Sequence, residues 1–221
     1  MNPEIIFILS LSIVLVAIIG FARYKTIDPS YYPFIYYAVA VTIMEVLVYI
    51  LTQRPENRKY VTTCVHFYSF IEFFLFAWLF HNWGLFGHRR KRFIYTMLAV
   101  FIVWLVTMFL SGFNQMNYYF LILYSFVLIF FSVSAFARVI IHERKNIFTN
   151  AKFLICIGII IFYTIFILIS VSNLSVIKFN TSWIFRKSLQ EINVYSNLLV
   201  NLVYVLAIIW VPRKKNFTTL F

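Results

Sequence analysis

Glycine and proline are scarce in this chain, at five each among 221 residues, and there are only two cysteines and seven acidic side chains. The glycines include no GxxxG pair, which excludes helix packing by close backbone approach. Helices here must meet through large side chains, an arrangement that leaves crevices between them. Cys64 and Cys156 are expected toward opposite leaflets and therefore unbridged. Equally absent are the compact chemical signatures. There is no HExxH and no other histidine pair at zinc-ligand spacing, no Gly-x-Ser-x-Gly elbow and no Walker loop. The last apolar segment has no lysine, so a retinal Schiff base has no attachment point. No metal and no cofactor are expected. His81, His88 and His142 fall at the ends of apolar segments, at the expected cytoplasmic boundary.

What fills the chain is apolar and aromatic. Hydrophobic residues make up 63% and aromatic residues 21%, with 27 Phe and 15 Tyr. A mean hydropathy of +0.89 is too high for a water-soluble domain to accommodate. Seven apolar runs meet the length of about 20 residues that spans a bilayer. They cover roughly 4–22, 32–52, 61–80, 93–112, 117–140, 152–172 and 190–211. The runs are too long for strands and do not alternate. The predicted fold is all-α, a polytopic bundle of seven transmembrane helices forming one domain over 1–221, with no soluble domain and no internal repeat.

Lys and Arg exceed Asp and Glu by 12, and their placement sets a topology. Thirteen of the 19 fall in one alternating set of connections: Arg23 and Lys25, the run Arg89 to Arg92, Arg138 with Arg144, Lys145 and Lys152, and Arg213 to Lys215. The positive-inside rule then puts the N-terminus outside and the C-terminus in the cytoplasm. The expected location is the cell inner (cytoplasmic) membrane. No segment is long enough to form a basic face on a soluble domain, so nucleic acid is not an expected partner; the lipid bilayer is. Met1-Asn-Pro-Glu lacks the basic region of a signal peptide, so the first run is expected to remain as a helix. Ser111-Gly-Phe-Asn predicts a tight turn between antiparallel helices, and Pro212 predicts the end of the last one. The connection 173–189, with Lys178, Trp183, Arg186 and Lys187, reads as a loop anchored by tryptophan or as a short interfacial helix. Asn173-Leu-Ser and Asn180-Thr-Ser fit the glycosylation pattern, a short match with no other support.

Three polar features interrupt the apolar runs. Glu45 lies in the second run, with His66, Ser69 and Glu72 in the third. At 100° per residue those last three step round by about 60° each, an arc that cannot all face lipid. An ionisable group at mid-bilayer costs at least ~2.5 kcal/mol, which marks Glu72 as a candidate site residue. The second and third runs are expected to be antiparallel neighbours, so Glu45 and His66 can meet as an acid–imidazole pair. In the seventh run Gln190, Asn193, Asn197, Asn201 and Tyr204 keep i, i+3, i+4 spacing within about 80° of arc. Unsatisfied amides are costly in hydrocarbon, so this stripe must face protein or water. Ser170, Ser172, Tyr118, Tyr119 and Tyr124 are candidates to complete the lining. One reading is a ligand pocket of Glu45, His66, Ser69, Glu72, Asn193, Asn197, Asn201 and Tyr204, walled by the second, third and seventh helices. The other is interhelical glue, the commoner use of buried amides in membranes.

At His66-x-Tyr68-Ser69-x-x-Glu72-Phe73 the chain resembles a family of short bacterial seven-helix membrane proteins. That family carries His-x-Tyr-(Ser/Thr)-x-x-Glu-(Phe/Tyr) on the third helix, an acid on the second that Glu45 matches, and an Asn–Tyr stretch that Asn201 and Tyr204 match. The resemblance implies sensing. The architecture is also similar to the seven-helix sensor regions that precede histidine kinases; nine residues follow Pro212, and no kinase is expected. The leading expectation is a receptor or sensor that binds a small or lipophilic ligand and signals through a membrane or cytoplasmic partner. The alternatives are a membrane enzyme acting on a lipid or isoprenoid, with Glu72 as acid/base and His66 and Glu45 beside it, and a proton-coupled transporter.

Overall fold

The computed structural model describes residues 3–87, 90–112, 115–142, 149–174, 177 and 182–214. Among them are seven helices, each long and apolar enough to cross a membrane, and no sheet. They are α1 (Glu4–Ala22), α2 (Tyr32–Gln53), α3 (Arg58–Asn82), α4 (Arg90–Ser111), α5 (Tyr118–His142), α6 (Ala151–Ser172) and α7 (Trp183–Trp210). The first six match the expected spans to within a turn.

Polar side chains start several of the helices where apolar periodicity alone gives no boundary. Asn150 accepts from the backbone N–H groups of Lys152 (3.0 Å) and Phe153 (3.4 Å) at the head of α6. Asn117 accepts from Phe120 at 3.1 Å at the head of α5, and Ser182 caps α7 by accepting from Ile184 at 3.3 Å. Such caps satisfy N–H groups that have no partner within the helix. The Ser182 cap accounts for the one large departure from expectation. α7 begins at Trp183, not near 190, so Trp183, Arg186 and Lys187 are helical rather than part of a loop. Lys187 lies one turn on from Trp183 with its ammonium 5.4 Å from the indole centroid, a cation–π contact that fits a helix emerging from an apolar layer. Lys178 and Asn180 lie outside the described residues, as do His88, Arg89, Arg144, Lys145 and Lys215, and part of the α4–α5 turn. At that turn Gly112 takes φ +75°, the left-handed conformation that ends helices cheaply only for glycine.

The helices form a ring. α2 packs on α3, α5 on α6, α6 on α7, α1 bridges α7 and α2, and α3 closes the ring against α5. α4 lies outside it, against α3 and α5. Its other faces present Ile94, Tyr95, Leu98, Phe109 and Leu110, all exposed and apolar. Exposed apolar faces around a buried core are the inverse of a water-soluble bundle and the form expected in a bilayer.

Two cations that sequence counting used only for topology have structural roles. Arg23 donates to the last carbonyls of α7, at 2.6 Å to Ile208, 2.6 Å to Ile209 and 3.3 Å to Val211. The positive charge also suits the negative end of the α7 dipole. Beside it Ile27 and Arg213 form an antiparallel bridge, with Lys214 N–H donating to Thr26 at 2.7 Å and Asp28 N–H to Pro212 at 3.1 Å. Arg138 of α5 donates to the carbonyls of Gly84 (2.7 Å) and Leu85 (3.2 Å) in the α3–α4 connection. Replacing Arg23 by Met keeps the apolar stem but leaves three carbonyl contacts empty. It is expected to cost about 2 kcal/mol, the scale of hydrogen bonds from a charged donor, and to show as a lower thermal unfolding temperature in detergent.

Candidate functional site

Near the middle of the ring the large side chains leave a cavity of about 210 Å³. Its walls come from five helices. α2 supplies Tyr37, Val41, Met44, Glu45 and Val48, and α3 supplies Val65, Tyr68, Ser69 and Glu72. α5 adds Leu121 and Tyr124, α6 adds Phe162 and Phe166, and α7 adds Asn197 and Asn201. Apolar walls with a few convergent polar groups are the usual composition of a small-molecule site.

Glu72 has both carboxyl oxygens hydrogen-bonded. It is 4% exposed. Tyr68, one turn earlier on α3, donates to Oε1 at 3.0 Å, and Tyr124 of α5 donates to Oε2 at 3.1 Å. One hydroxyl per carboxyl oxygen fixes the plane of the group. Fully buried Tyr163 of α6 faces the same carboxyl, but its hydroxyl makes no hydrogen bond. The rings behind the carboxyl are continuous. Tyr124 meets Tyr163 edge-on at 5.7 Å, Tyr163 meets Phe76 at 6.3 Å, Phe76 meets Tyr37 at 4.3 Å and Tyr37 meets Tyr204 at 6.2 Å. Such offset and edge-on pairs are the favoured aromatic geometries.

The other side of the cavity is polar and draws on α1, which the sequence reading left out. α1 tightens into a 3-10 turn at Leu11–Ile13. Ser10, just before it, donates to the carbonyl of Phe7 at 2.9 Å, and Ser12, within it, to that of Leu9 at 2.7 Å. Serines bonded back to their own helix commonly bend it. Here Ser10 lies close to Glu45 of α2, and Ser12 meets Asn201 of α7, whose Nδ2 donates to Ser12 Oγ at 2.8 Å. Asn201→Ala is expected to cost about 1 kcal/mol through that lost bond and to loosen α1 from α7. Faster hydrogen exchange at residues 9–13 would report it.

The expected pocket residues are thus divided. Glu45, Ser69, Glu72, Asn197 and Asn201 line one cavity, and Tyr204 packs behind it. The expected Glu45–His66 pair does not form. His66 is 1% exposed and turns the other way, its Nε2 2.9 Å from the backbone carbonyl of Gln115 beyond the α4–α5 turn. Trp104 Nε1 of α4 and Ser69 Oγ both donate to the His66 carbonyl, at 3.1 Å and 2.8 Å. His66 therefore ties α3 to α4 and the α4–α5 turn, the clamping use of a polar residue. The reason is angular: with Ser69 and Glu72 on the cavity, a residue a further step round the helix faces the neighbour on that side. Asn193 also lies outside the cavity. With Gln190 and Lys187 it lines a second hollow of about 370 Å³ against Ile6 of α1 and Ile169 of α6. Its Oδ1 is buried without a hydrogen bond.

Among the supporting residues, Tyr124 lines the cavity as expected, whereas Tyr119 is 62% exposed and points away. Ser170 and Ser172 are buried but do not line it; Ser172 donates to its own helix at Ile169, 2.8 Å away. The sequence reading missed Tyr37, Phe162 and Phe166, which look like ordinary members of an aromatic-rich chain. It also missed Ser10 and Ser12, the one pair of hydroxyls inside the first apolar run and a readable signal. Gly158 was missed too. A Cβ there would lie 2.3 Å from the ring of Tyr204, so this glycine makes room for that tyrosine.

The fold and the cavity together describe a seven-helix bundle of multi-pass membrane type with an acid-bearing pocket between its helices. No family model matches the chain, and no curated protein or solved structure is detectably similar to it.

Proposed function

We propose that this chain is a membrane receptor or sensor module that binds a small, partly lipophilic ligand in the cavity between α2, α3, α5, α6 and α7. The supporting observation is the cavity itself: a space inside apolar helices, into which Glu72 projects with its carboxyl oriented by Tyr68 and Tyr124. Glu72 bridges α3 to α5 through Tyr124 and also lines open space, which an acid that only joined helices would not need to do. The bias of Lys and Arg supports an orientation with the N-terminus outside, which puts the cavity in the outer half of the bilayer. Binding there would bias α1 and α7, which meet at Ser12 and Asn201 and again at the Arg23 clasp, and a partner at the membrane or the cytoplasmic face would read the change. The pattern from His66 to Glu72, with its resemblance to short seven-helix proteins of bacteria, agrees with a sensing role in an inner membrane.

The membrane-enzyme reading keeps Glu72 as acid/base but loses its imidazole, since His66 is engaged with Gln115. The deciding experiment is cross-linking and affinity capture of the full chain from native membranes, with bound small molecules identified by mass spectrometry. A stoichiometric protein partner, with a retained molecule that Glu72→Gln loses, is the expected result. A retained molecule that is chemically converted on incubation would replace this reading with the enzyme. Uptake into vesicles containing the chain alone would replace it with a carrier.

A further inference from the structure

The cavity holds two carboxyl groups, Glu45 and Glu72, yet none of the described residues lining it is Lys, Arg or His. This is notable in a chain whose cations outnumber its acids 19 to 7. The cations go to the helix ends and connections; Arg23 and Arg138 are spent on backbone carbonyls. His66, the one imidazole within reach along α3, faces the α4–α5 turn. A buried carboxylate needs a counter-charge or neutralisation, and the protein supplies no counter-charge in this space.

The walls supply the rest of a cation site. Tyr37, Tyr68, Tyr124, Phe162 and Phe166 surround the space beside Glu72. Aromatic faces attract an ammonium within about 6 Å, more strongly where water is excluded. An anionic ligand would meet two like charges and no donor stronger than a hydroxyl or amide. A neutral apolar ligand would leave Glu72 with the hydroxyls of Tyr68 and Tyr124 and no counter-charge.

On the reading that this cavity binds a ligand, we infer that the ligand is an amphipathic cation, a primary or substituted amine on a small apolar skeleton. Its ammonium pairs with Glu72 and packs against the tyrosine faces, while its skeleton lies along Val41, Val65, Leu121 and Phe166. Tyr68 and Tyr124 aim the carboxylate, and Asn197 and Asn201 accept or donate to any further polar group. Glu45, only half-buried, adds a weaker attraction from the far wall.

The test uses the purified full chain in nanodiscs and a small probe panel: cyclohexylamine, 2-phenylethylamine and octylamine, each against the alcohol of the same skeleton. Binding is measured by calorimetry, and occupancy of the cavity by loss of signal in Phe166→Trp fluorescence quenching. At least one amine is expected to bind tenfold or more tightly than its alcohol, with the preference reduced to about twofold in Glu72→Gln. The wild-type amine-to-alcohol ratio needs no variant, so it stands even if Glu72→Gln fails to fold. Alcohols that bind in the cavity as well as their amines would overturn the cationic class while leaving a ligand pocket. No binding by any probe, with no quenching, would count against both.

Discussion

Replacing Gly158 with valine is expected to destabilise the bundle by about 3 kcal/mol, near the upper end for overpacking a core. A Cβ at this position would stand 2.3 Å from one ring carbon of Tyr204, 2.9 Å from a second and 3.0 Å from a third. Tyr204 cannot yield cheaply, being 1% exposed and held edge-on by Phe34 at 5.1 Å and Tyr37 at 6.2 Å. Either α6 and α7 separate or the ring turns out of its seat. Turning it disturbs Tyr37, which lines the cavity, so the variant should lose probe binding as well as stability. Even alanine should be costly here, and the cost should be relieved by shortening the partner. In a double-mutant cycle the Gly158→Ala and Tyr204→Leu changes should be clearly non-additive, the pair being less damaging than the sum of its members. Thermal unfolding in detergent measures all four states. Additive effects would mean that Gly158 and Tyr204 are not in contact.

That contact shows where sequence reasoning ended. The seven spans were legible because apolar runs of this length have no other use, and their ends, the start of α7 excepted, followed from charge and proline. Neighbouring helices with short connections, α2 with α3 and α4 with α5, followed as well. What lies between distant helices did not. Gly158 and Tyr204 are on different helices, and nothing in either run says that the small residue of one faces the large residue of the other. Glu72 stood out because a carboxyl inside an aromatic run is anomalous on any physical account. Tyr124 was a candidate for the lining, but its bond to Glu72 was not legible, and Tyr163 was not singled out at all, because tyrosine is common throughout this chain. The polar stripe of α7 reads as facing protein or water, but a stripe 80° wide serves more than one neighbour. Asn201 reaches α1, Asn197 the cavity and Asn193 the second hollow. Depth along a helix is easy to count; the direction in which a side chain leaves it is set by partners that are far away in sequence. His66 was misassigned for that reason, having the right depth to meet Glu45 and the wrong direction.

His66 therefore supplies the second large effect. His66→Ala is expected to cost about 3 kcal/mol, since it opens space in a buried position and removes the partner of the Gln115 carbonyl. Loss should concentrate where α3 meets α4 and the turn before α5, with faster hydrogen exchange around residues 104–112 and 115–118. His66→Gln should recover much of the stability, because a side-chain amide can still donate to that carbonyl. Ligand affinity at the cavity should change less than twofold in the folded His66→Gln protein, because His66 does not line the cavity. The comparison separates two polar residues only six positions apart on one helix. Glu72 is expected to govern binding and His66 to govern stability. If His66→Gln instead abolishes binding while the protein stays folded, His66 reaches the ligand in the bound state, and the acid–imidazole arrangement of the enzyme reading returns.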